Sequence, residues 1–194
     1  MKLKEPKPEL FDHFPVQEFA TVRLREIHEG DALGLLDYLS DERVRKYIAK
    51  EDLPNCIEDA EREVLYWGSL FRNKHSIYWG IAEKETDTII GTCGFNCWNR
   101  NHYKAEVSYD LAHAYWNKGI TSEILSFIIS YGFHEMGLNR ISAKVTTNNV
   151  GSIRVLEKND FQHEGLLRAY KMISGEIHDA HIYSIIAKEF FSKN

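Results

Sequence analysis

Apolar and polar residues alternate from Ala105 to Leu111, and this alternation predicts a strand. Its odd-numbered residues are apolar or aromatic and are expected on one face. The even-numbered residues Glu106, Ser108 and Asp110 are expected on the other face. Acidic and polar side chains therefore follow one side of a strand near the middle of the chain.

The pattern changes after this strand to helical spacing, with Ile120, Ile124 and Ile128 on one side of a predicted helix. The first N–H groups of a helix have no intrahelical acceptor, so a strand that enters a helix through a short polar turn can bind anions there. The turn predicts a diphosphate cradle, formed by Trp116, Asn117, Lys118, Gly119, Ile120, Thr121 and Ser122. An ordinary loop-to-helix junction is the alternative, since neither a P-loop nor G-x-G-x-x-G is present.

Similar patterns elsewhere predict a mixed, mostly antiparallel sheet of about seven strands with helices on both faces, an α+β fold. Pro6 and Pro8 oppose helix, so residues 1–17 are predicted to be an N-terminal arm and residues 18–194 a single domain. Strands are expected over 21–26, 76–82, 88–98, 103–111, 140–146, 161–172 and 177–186, and helices over 31–39, 41–47, 55–71, 119–137 and 151–158.

Composition narrows the possible partners and the compartment. The formal net charge of −5 and the lack of a Lys/Arg cluster argue against nucleic acid, and no apolar window is long enough to suggest a membrane span. Three cysteines do not make a disulfide scaffold, which fits a reducing cytoplasm. Cys93 and Cys97 would share a strand face but stand roughly 13 Å apart at about 3.3 Å per residue, so no metal site is expected.

A second segment, Thr146 to Gly165, carries Asn149, Ser152 and a Leu-Glu-Lys run that precedes Phe161. With the Trp116–Ser122 turn, it resembles the GNAT superfamily of acyl-CoA transferases. It resembles specifically the RimJ/RimL-type branch, which acetylates the N-termini of ribosomal proteins. The resemblance covers roughly residues 18 to 190 and implies a GNAT-type sheet with acetyl-CoA as the acyl donor.

Three positions depart from the family pattern. Asn117 and Asp160 stand where the family often has Gly, and Thr121 stands where a small residue is usual. Asn tolerates unusual backbone angles, so the first change is mild. Thr121 brings a branched side chain close to where phosphate is expected, although its hydroxyl can donate a hydrogen bond there.

The resemblance also assigns roles to single residues. The strand end at Leu111 and Ala112 would pair with the pantetheine amides, and Asn149 would contact the same arm while also capping a helix. Glu106 would act as general base, directly or through water, and Ser152 would lie near the CoA sulfur. Each has a plain structural alternative: a sheet edge, a helix cap, an exposed strand carboxylate and an early helical serine.

The sequence therefore predicts an acetyl-CoA-dependent N-acetyltransferase whose acceptor is a primary amine, most simply the N-terminal α-amine of a protein such as a ribosomal protein. An α-amine with a pKa of about 7.7–8.0 needs only a weak base, whereas lysine near 10.4 needs a stronger one. A small-molecule amine (antibiotic, polyamine or amino acid) is the alternative acceptor. A non-catalytic acyl-CoA sensor is the alternative class, and a homodimer is left open.

Overall fold

The computed structural model describes residues 5–193. The strands are β1 (Gln17–Glu18), β2 (Val22–Glu26), β3 (Tyr78–Glu83), β4 (Ile89–Asn99), β5 (Lys104–Leu111), β6 (Arg140–Thr146), β7 (Gln162–Ile173) and β8 (Glu176–Ile186). The α-helices are α1 (Ala32–Leu39), α2 (Glu42–Arg45), α3 (Ile57–Arg72), α4 (Ile120–His134), α5 (Val150–Lys158) and α6 (Ala187–Lys193).

The strands follow the order β1-β2-β3-β4-β5-β6-β8-β7 in one eight-stranded sheet. β5 and β6 are parallel. Five other pairs are antiparallel: β1–β2, β2–β3, β3–β4, β6–β8 and β7–β8. The predicted α+β class with a mostly antiparallel sheet is confirmed. The eighth strand, β1, has two residues and is too short to show any alternation in the sequence.

The chain separates into two compact units, and β4 and β5 contribute residues to both. Unit 2 contains residues 11–94 and 109–120, and unit 1 contains the described parts of 1–10, 95–108 and 121–194. The single domain predicted for residues 18–194 stays a prediction.

Unit 2 has a core in which α1 and α3 pack on strand residues. The predicted stripe of α3 is present, because Ala60, Val64 and Phe71 are buried and Trp67 stacks on Tyr78 with ring centroids 5.2 Å apart. Asp31, with which the first predicted helix begins, is the N-cap residue of α1, but its side chain makes no capping hydrogen bond. That carboxylate instead accepts both Arg25 Nη atoms at 2.7 and 2.8 Å and the His28 N–H at 2.9 Å.

Unit 1 buries the apolar side of α4 beside β6. Ile124, Ile128 and Phe133 are almost fully buried, as is Ile141. Side chains pack closely on the helix backbone at Gly132, where an added Cβ would lie 2.9 Å from the Ile141 side chain and 3.0 Å from that of Phe95. This close approach explains why the helix carries glycine there.

The hairpin of β7 and β8 turns through Ser174 and Gly175, as predicted, and both residues have positive φ (51° and 83°). β7 is the last strand of the sheet order, and its pairing with β8 is irregular. Its register with β8 shifts between Leu167 and Lys171, where Ala169 has φ 51° and donates its N–H to Asp179 Oδ1 at 2.7 Å.

The predicted shared face for Cys93 and Cys97 is wrong. Cys93 is buried and Cys97 is exposed, and Cys97 has φ 49°, which interrupts the alternation of β4. The predicted N-terminal arm stays a prediction: its residues 1–4 lie outside the described residues, and residues 5–16 contain turns but neither helix nor strand. No helix within residues 5–193 is long and apolar enough to cross a membrane.

Candidate active site

The backbone of the predicted cradle has the form that anion binding requires. Asn117 and Gly119 have φ of 59° and 81°, and α4 begins at Ile120. Alternating backbone conformations before a helix turn successive N–H groups toward one side, which makes an anion-binding concavity. An added Cβ at Gly119 would meet nothing within 4 Å, so space remains beside the backbone. The residues present therefore fit the diphosphate of CoA.

Two departures from the family pattern keep a backbone conformation that glycine also adopts. Asn117 and Asp160 replace glycine, yet both have positive φ (59° and 64°). Asn and Asp are the non-glycine residues that adopt this conformation most readily. The third departure, Thr121, lies half-buried in the first turn of α4.

Trp116 fixes the start of the cradle. Its indole Nε1–H donates to the carbonyl of Leu111 at 2.7 Å, and its ring contacts His113 with centroids 4.9 Å apart. Tyr47 lies on the ring as well, at 6.2 Å. The end of β5 and the cradle are thus joined within unit 2 by a side chain that the sequence motif already marked.

Tyr115 adds a second anchor just before the cradle. Its hydroxyl donates to Glu83 Oε1 at 2.6 Å, and this hydrogen bond raises the pKa of Tyr115 to about 12 and lowers the pKa of Glu83. Lys118 Nζ lies 5.1 Å from the centre of the Tyr115 ring. Sequence reasoning missed Glu83, because nothing near the end of β3 signals a contact with a turn more than 30 residues later.

The predicted pantetheine edge at Leu111 and Ala112 is largely occupied by contacts inside unit 2. The Ala112 N–H donates to the Ile90 carbonyl at 2.7 Å, and the Ala112 carbonyl accepts the Tyr115 N–H at 3.0 Å. The Leu111 carbonyl accepts from Trp116. Pantetheine pairing at these two residues stays a prediction.

The pairing of β5 with β6 covers only the first residues of β5. Among the described residues, the register between β5 and β6 covers only Lys104–Glu106 with Arg140–Ser142. Beyond this point β6 continues to Thr146 in partnership with β8. The backbone groups of β5 after Glu106 on that side are therefore not used by a β6 ladder.

Glu106 lies at the point where this pairing ends and forms an ion pair. Its Oε2 is 2.8 Å from Lys144 Nζ, with side-chain exposures of 24% and 29%. Lys144 Nζ also lies 5.3 Å from the centre of the Tyr170 ring. Burial acts in the opposite direction, but hydrogen bonds to Glu106 and Tyr170 raise the pKa of Lys144. The predicted base is thus accessible and held by a cation.

Asp110, on the same polar face of β5 by sequence, has a different environment. Its carboxylate accepts the Tyr38 hydroxyl at 2.7 Å, the Thr92 N–H at 2.9 Å and the Thr92 hydroxyl at 2.9 Å. Burial raises the pKa of Asp110, against the effect of these hydrogen bonds. Both carboxylate oxygens thus accept hydrogen bonds from neutral donors of unit 2.

Asn149 and Ser152 come together at the start of α5. Asn149 is the N-cap residue, and its Oδ1 accepts the Ser152 N–H at 3.1 Å. The capping function weighed for Asn149 is therefore present, and Ser152 is an early helical serine. Their contacts with pantetheine and the CoA sulfur stay predictions.

Ser122, at the far end of the cradle, is tied to the end of the same helix. Asn159 Nδ2 donates to Ser122 Oγ at 3.1 Å and to the Val155 carbonyl at 2.9 Å. Asn159 is the C-cap residue of α5 and was not singled out by the sequence. Its amide fixes the first turn of α4 against α5 inside unit 1.

The predicted site residues are divided between the two units. Unit 2 holds Leu111, Ala112, Trp116, Asn117, Lys118, Gly119 and Ile120, and unit 1 holds Glu106, Thr121, Ser122, Asn149 and Ser152. Within residues 5–193, no three His, Cys, Asp or Glu side chains are arranged to hold a metal ion.

Comparison with known proteins finds acetyltransferases, the class that the sequence analysis predicted. Residues 21–162 match the family model described as "Acetyltransferase (GNAT) domain". The chain is 37% identical over 173 residues to YoaA, an uncharacterized N-acetyltransferase of Bacillus subtilis (strain 168), covering 89% of this chain and 97% of that protein.

Solved structures resemble the fold over most of its length. A ribosomal-protein-S5-alanine acetyltransferase from Vibrio fischeri has a TM-score of 0.81 at 25% identity, covering 89% of this chain and 96% of that one. The microcin C7 self-immunity acetyltransferase MccE, solved with acetyl-CoA and AMP, has a TM-score of 0.77 at 22% identity, covering 87% and 93%.

The chain therefore belongs to the GNAT acetyltransferase family. It is an N-acetyltransferase, and the enzymes of this family use acetyl-CoA.

Proposed function

We propose that this enzyme acetylates the N-terminal α-amine of a protein, such as a ribosomal protein, in the cytoplasm. The ion pair of Glu106 with Lys144 is the observation that carries the proposal. A carboxylate that already holds an ammonium must weaken that contact to take a proton. It therefore suits an amine that is partly neutral before it binds.

An α-amine meets this condition and a lysine side chain does not. With a pKa of about 7.7–8.0, roughly a tenth or more of an α-amine is neutral at pH 7, against less than about 0.1% of a lysine near 10.4. Three free cysteines agree with a reducing compartment. The likeness to a ribosomal-protein-S5-alanine acetyltransferase points to the same kind of acceptor.

Acetyl-CoA supplies the acetyl thioester. Backbone N–H groups of the Trp116–Ser122 turn bind its diphosphate, and Asn149 orients the pantetheine arm. The acceptor nitrogen forms a bond to the thioester carbon, and the C–S bond breaks as the tetrahedral intermediate collapses. Glu106, directly or through water, takes the proton that the nitrogen loses. The Ser152 hydroxyl gives a proton to the departing thiolate and regains one from solvent.

A matched set of acceptors tests the substrate class. The purified protein is given acetyl-CoA with peptides that have free N-termini, with the same peptides blocked at the N-terminus but carrying an internal lysine, and with polyamines and amino acids. Thiol release and peptide mass are measured. We expect kcat/KM at least tenfold higher for the free N-terminus than for the blocked peptide. Acetylation confined to lysine or to small amines would contradict the proposal, and binding without turnover would support the sensor.

Glu106→Gln tests the base. We expect kcat to fall about 10²–10³-fold, in the range of general-base catalysis, with binding of acetyl-CoA retained. Glu164→Gln is the matched control, because Glu164 is bound by Arg140 and Ser184 and has no part in the proposed reaction. Ser152→Ala with unchanged kcat would remove Ser152 from the leaving-group role.

A further inference from the structure

We propose that His163 and His181 form a binding site for a divalent transition-metal ion, such as Zn²⁺, on the hairpin of β7 and β8. The Nε2 atom of His163 lies 2.9 Å from the Nδ1 atom of His181. The two histidines are 18 residues apart along the chain, so their spacing in the sequence does not indicate a shared site. The inference goes beyond the proposed function and does not depend on it.

The register of the hairpin brings the two imidazole rings together. His163 pairs with Tyr183, and His181 lies two residues before Tyr183 on β8, so both histidines project from one face of the hairpin. Diagonal neighbours on one face of a sheet are about 7–8 Å apart at the backbone, a distance that two imidazole side chains can bridge. The site is therefore a product of strand pairing.

The distance between the two nitrogen atoms suits a shared metal ion as well as a hydrogen bond. Zn²⁺ binds imidazole nitrogen at about 2.0–2.1 Å, so two such nitrogens at about 90–110° around one ion are about 2.9–3.4 Å apart. The observed 2.9 Å is at the lower end of this range. The ring planes meet at 79°, and a small rotation of the exposed His163 ring would direct both lone pairs to one ion.

A buried tyrosine supports the pair from below. Tyr183 is 4% exposed, and its ring centroid lies 5.1 Å from that of His163 and 6.3 Å from that of His181. Its hydroxyl donates to Glu157 Oε1 at 3.3 Å. His163 is exposed and His181 is half-buried, so an ion in solution can reach the two nitrogens. The pair is thus supported on one side and accessible on the other.

The carboxylate next to His163 is engaged elsewhere. Glu164 accepts from Arg140 Nη1 at 2.7 Å and from Ser184 Oγ at 2.6 Å. Ser184 alternates to the opposite face of β8 from His181. Within residues 5–193 no third His, Cys, Asp or Glu side chain completes a set of three. Two imidazoles are therefore the protein ligands, and water fills the remaining positions of the ion.

This ligand set determines which ions bind and how they behave. Imidazole suits Zn²⁺, Cu²⁺ and Ni²⁺, whereas Mg²⁺ and Ca²⁺ prefer oxygen ligands. Structural zinc sites use four protein ligands, so an ion held by two histidines exchanges with solvent and keeps open positions. An ion that binds the folded hairpin and joins β7 to β8 also stabilises the folded state.

Calorimetric titration of the full chain, without a histidine tag and after removal of metal by dialysis, tests the site. We expect saturable binding of Zn²⁺, tighter binding of Cu²⁺ and no binding of Mg²⁺. His163→Gln and His181→Gln should each raise the Kd for Zn²⁺ about tenfold or more, because loss of a ligand costs at least as much as loss of a group that only orients a ligand.

His178→Gln is the matched control. His178 lies on β8 opposite Lys171, and its side chain alternates to the other face of the strand from His181. The affinity for Zn²⁺ should be unchanged in this variant. An equal loss of affinity in His178→Gln would overturn the inference, as would an unchanged Kd in His163→Gln, since binding would then be spread over surface histidines.

NMR of the parent protein gives a readout that does not depend on the folding of a variant. In protein labelled with ¹⁵N at histidine, Zn²⁺ should shift the signals of His163 Nε2 and His181 Nδ1, the nitrogens that face each other, and leave those of His178 in place. Shifts confined to other histidines would contradict the site. Acetyl transfer measured with a chelator present tests the proposed function separately.

Discussion

Two carboxylates of β5 lie four residues apart and have opposite environments. Asp110 is enclosed by the hydroxyl of Tyr38 and two donors of Thr92, all neutral. Glu106 is accessible and has one charged partner, Lys144. The first arrangement engages both carboxylate oxygens with donors of the protein itself. The second leaves lone pairs free to receive a proton, so the number and charge of the partners distinguish a structural acid from a candidate base.

The largest expected effect follows from removing the saturated carboxylate. Asp110→Ala leaves the Tyr38 hydroxyl and the Thr92 donors without their acceptor, which should lower the free energy of unfolding by about 2–4 kcal/mol. Glu106→Ala removes an ion pair whose side chains are 24% and 29% exposed and should cost less, about 1 kcal/mol. Urea unfolding of both variants measures the contrast, and equal losses would remove the distinction.

Replacement of Tyr115 should have an intermediate effect, because its hydroxyl donates to the carboxylate of Glu83 beside the cradle. Tyr115→Phe removes the hydrogen bond to the Glu83 carboxylate, and solvent limits what this bond contributes to stability. We expect KM for acetyl-CoA to rise about 3–10-fold while kcat changes little, since the cradle loosens but the base is untouched. Steady-state kinetics at saturating acceptor provide the measurement. An unchanged KM accompanied by a lower kcat would show that the anchor serves another step.

Asn149 gives a smaller, local effect on stability. Asn149→Ala removes the cap of α5 and should destabilise the protein by about 1 kcal/mol, whereas Asn149→Asp keeps an acceptor for the Ser152 N–H. If Asn149 also orients pantetheine, Asn149→Asp should raise KM for acetyl-CoA without loss of stability. Thermal unfolding and kinetics on the two variants separate the capping function from the binding function.

Replacement of Glu164 should have the smallest effect on the free energy of unfolding. Hydrogen bonds from Arg140 and Ser184 lower its pKa from an ordinary 4.5 to about 2. A lowered pKa in the folded state means that the contribution to stability is present above pH 4.5 and is lost as the pH falls toward 2. The side chain is 38% exposed, so solvent reduces the size of the effect. Glu164→Gln should flatten the fall in unfolding free energy between these values, and a parallel curve would contradict this.

Much of the fold could be predicted because most strands and helices are long enough to show their period. β6 was predicted with its observed bounds, and the β7–β8 turn was predicted because Ser-Gly suits positive φ at both positions. β1 and α6 could not be predicted in this way. A two-residue strand has no alternation, and the start of α6 continues directly from β8.

The part of the candidate site that lies in one continuous segment of the chain could be predicted from the sequence. The turn after Trp116 is one continuous segment, and the backbone that it requires is present at Asn117 and Gly119. Alternation placed Glu106 and Asp110 on one polar face but could not separate them. The difference depends on Tyr38, Thr92 and Lys144, which come from other elements. Glu83 and Asn159 were missed for the same reason, because their partners are distant along the chain.

The register shift around Ala169 has a consequence for solubility. β7 is the outermost strand, and a long, straight margin of a sheet is a template on which other polypeptides can add and form fibrils. Ala169 adopts the left-handed conformation within this strand and donates its N–H to the Asp179 carboxylate of the paired strand β8, so the margin is not one straight run. The apolar side chains Leu166 and Met172 flank this break, so the distortion protects the part of the strand that would otherwise be most prone to aggregate.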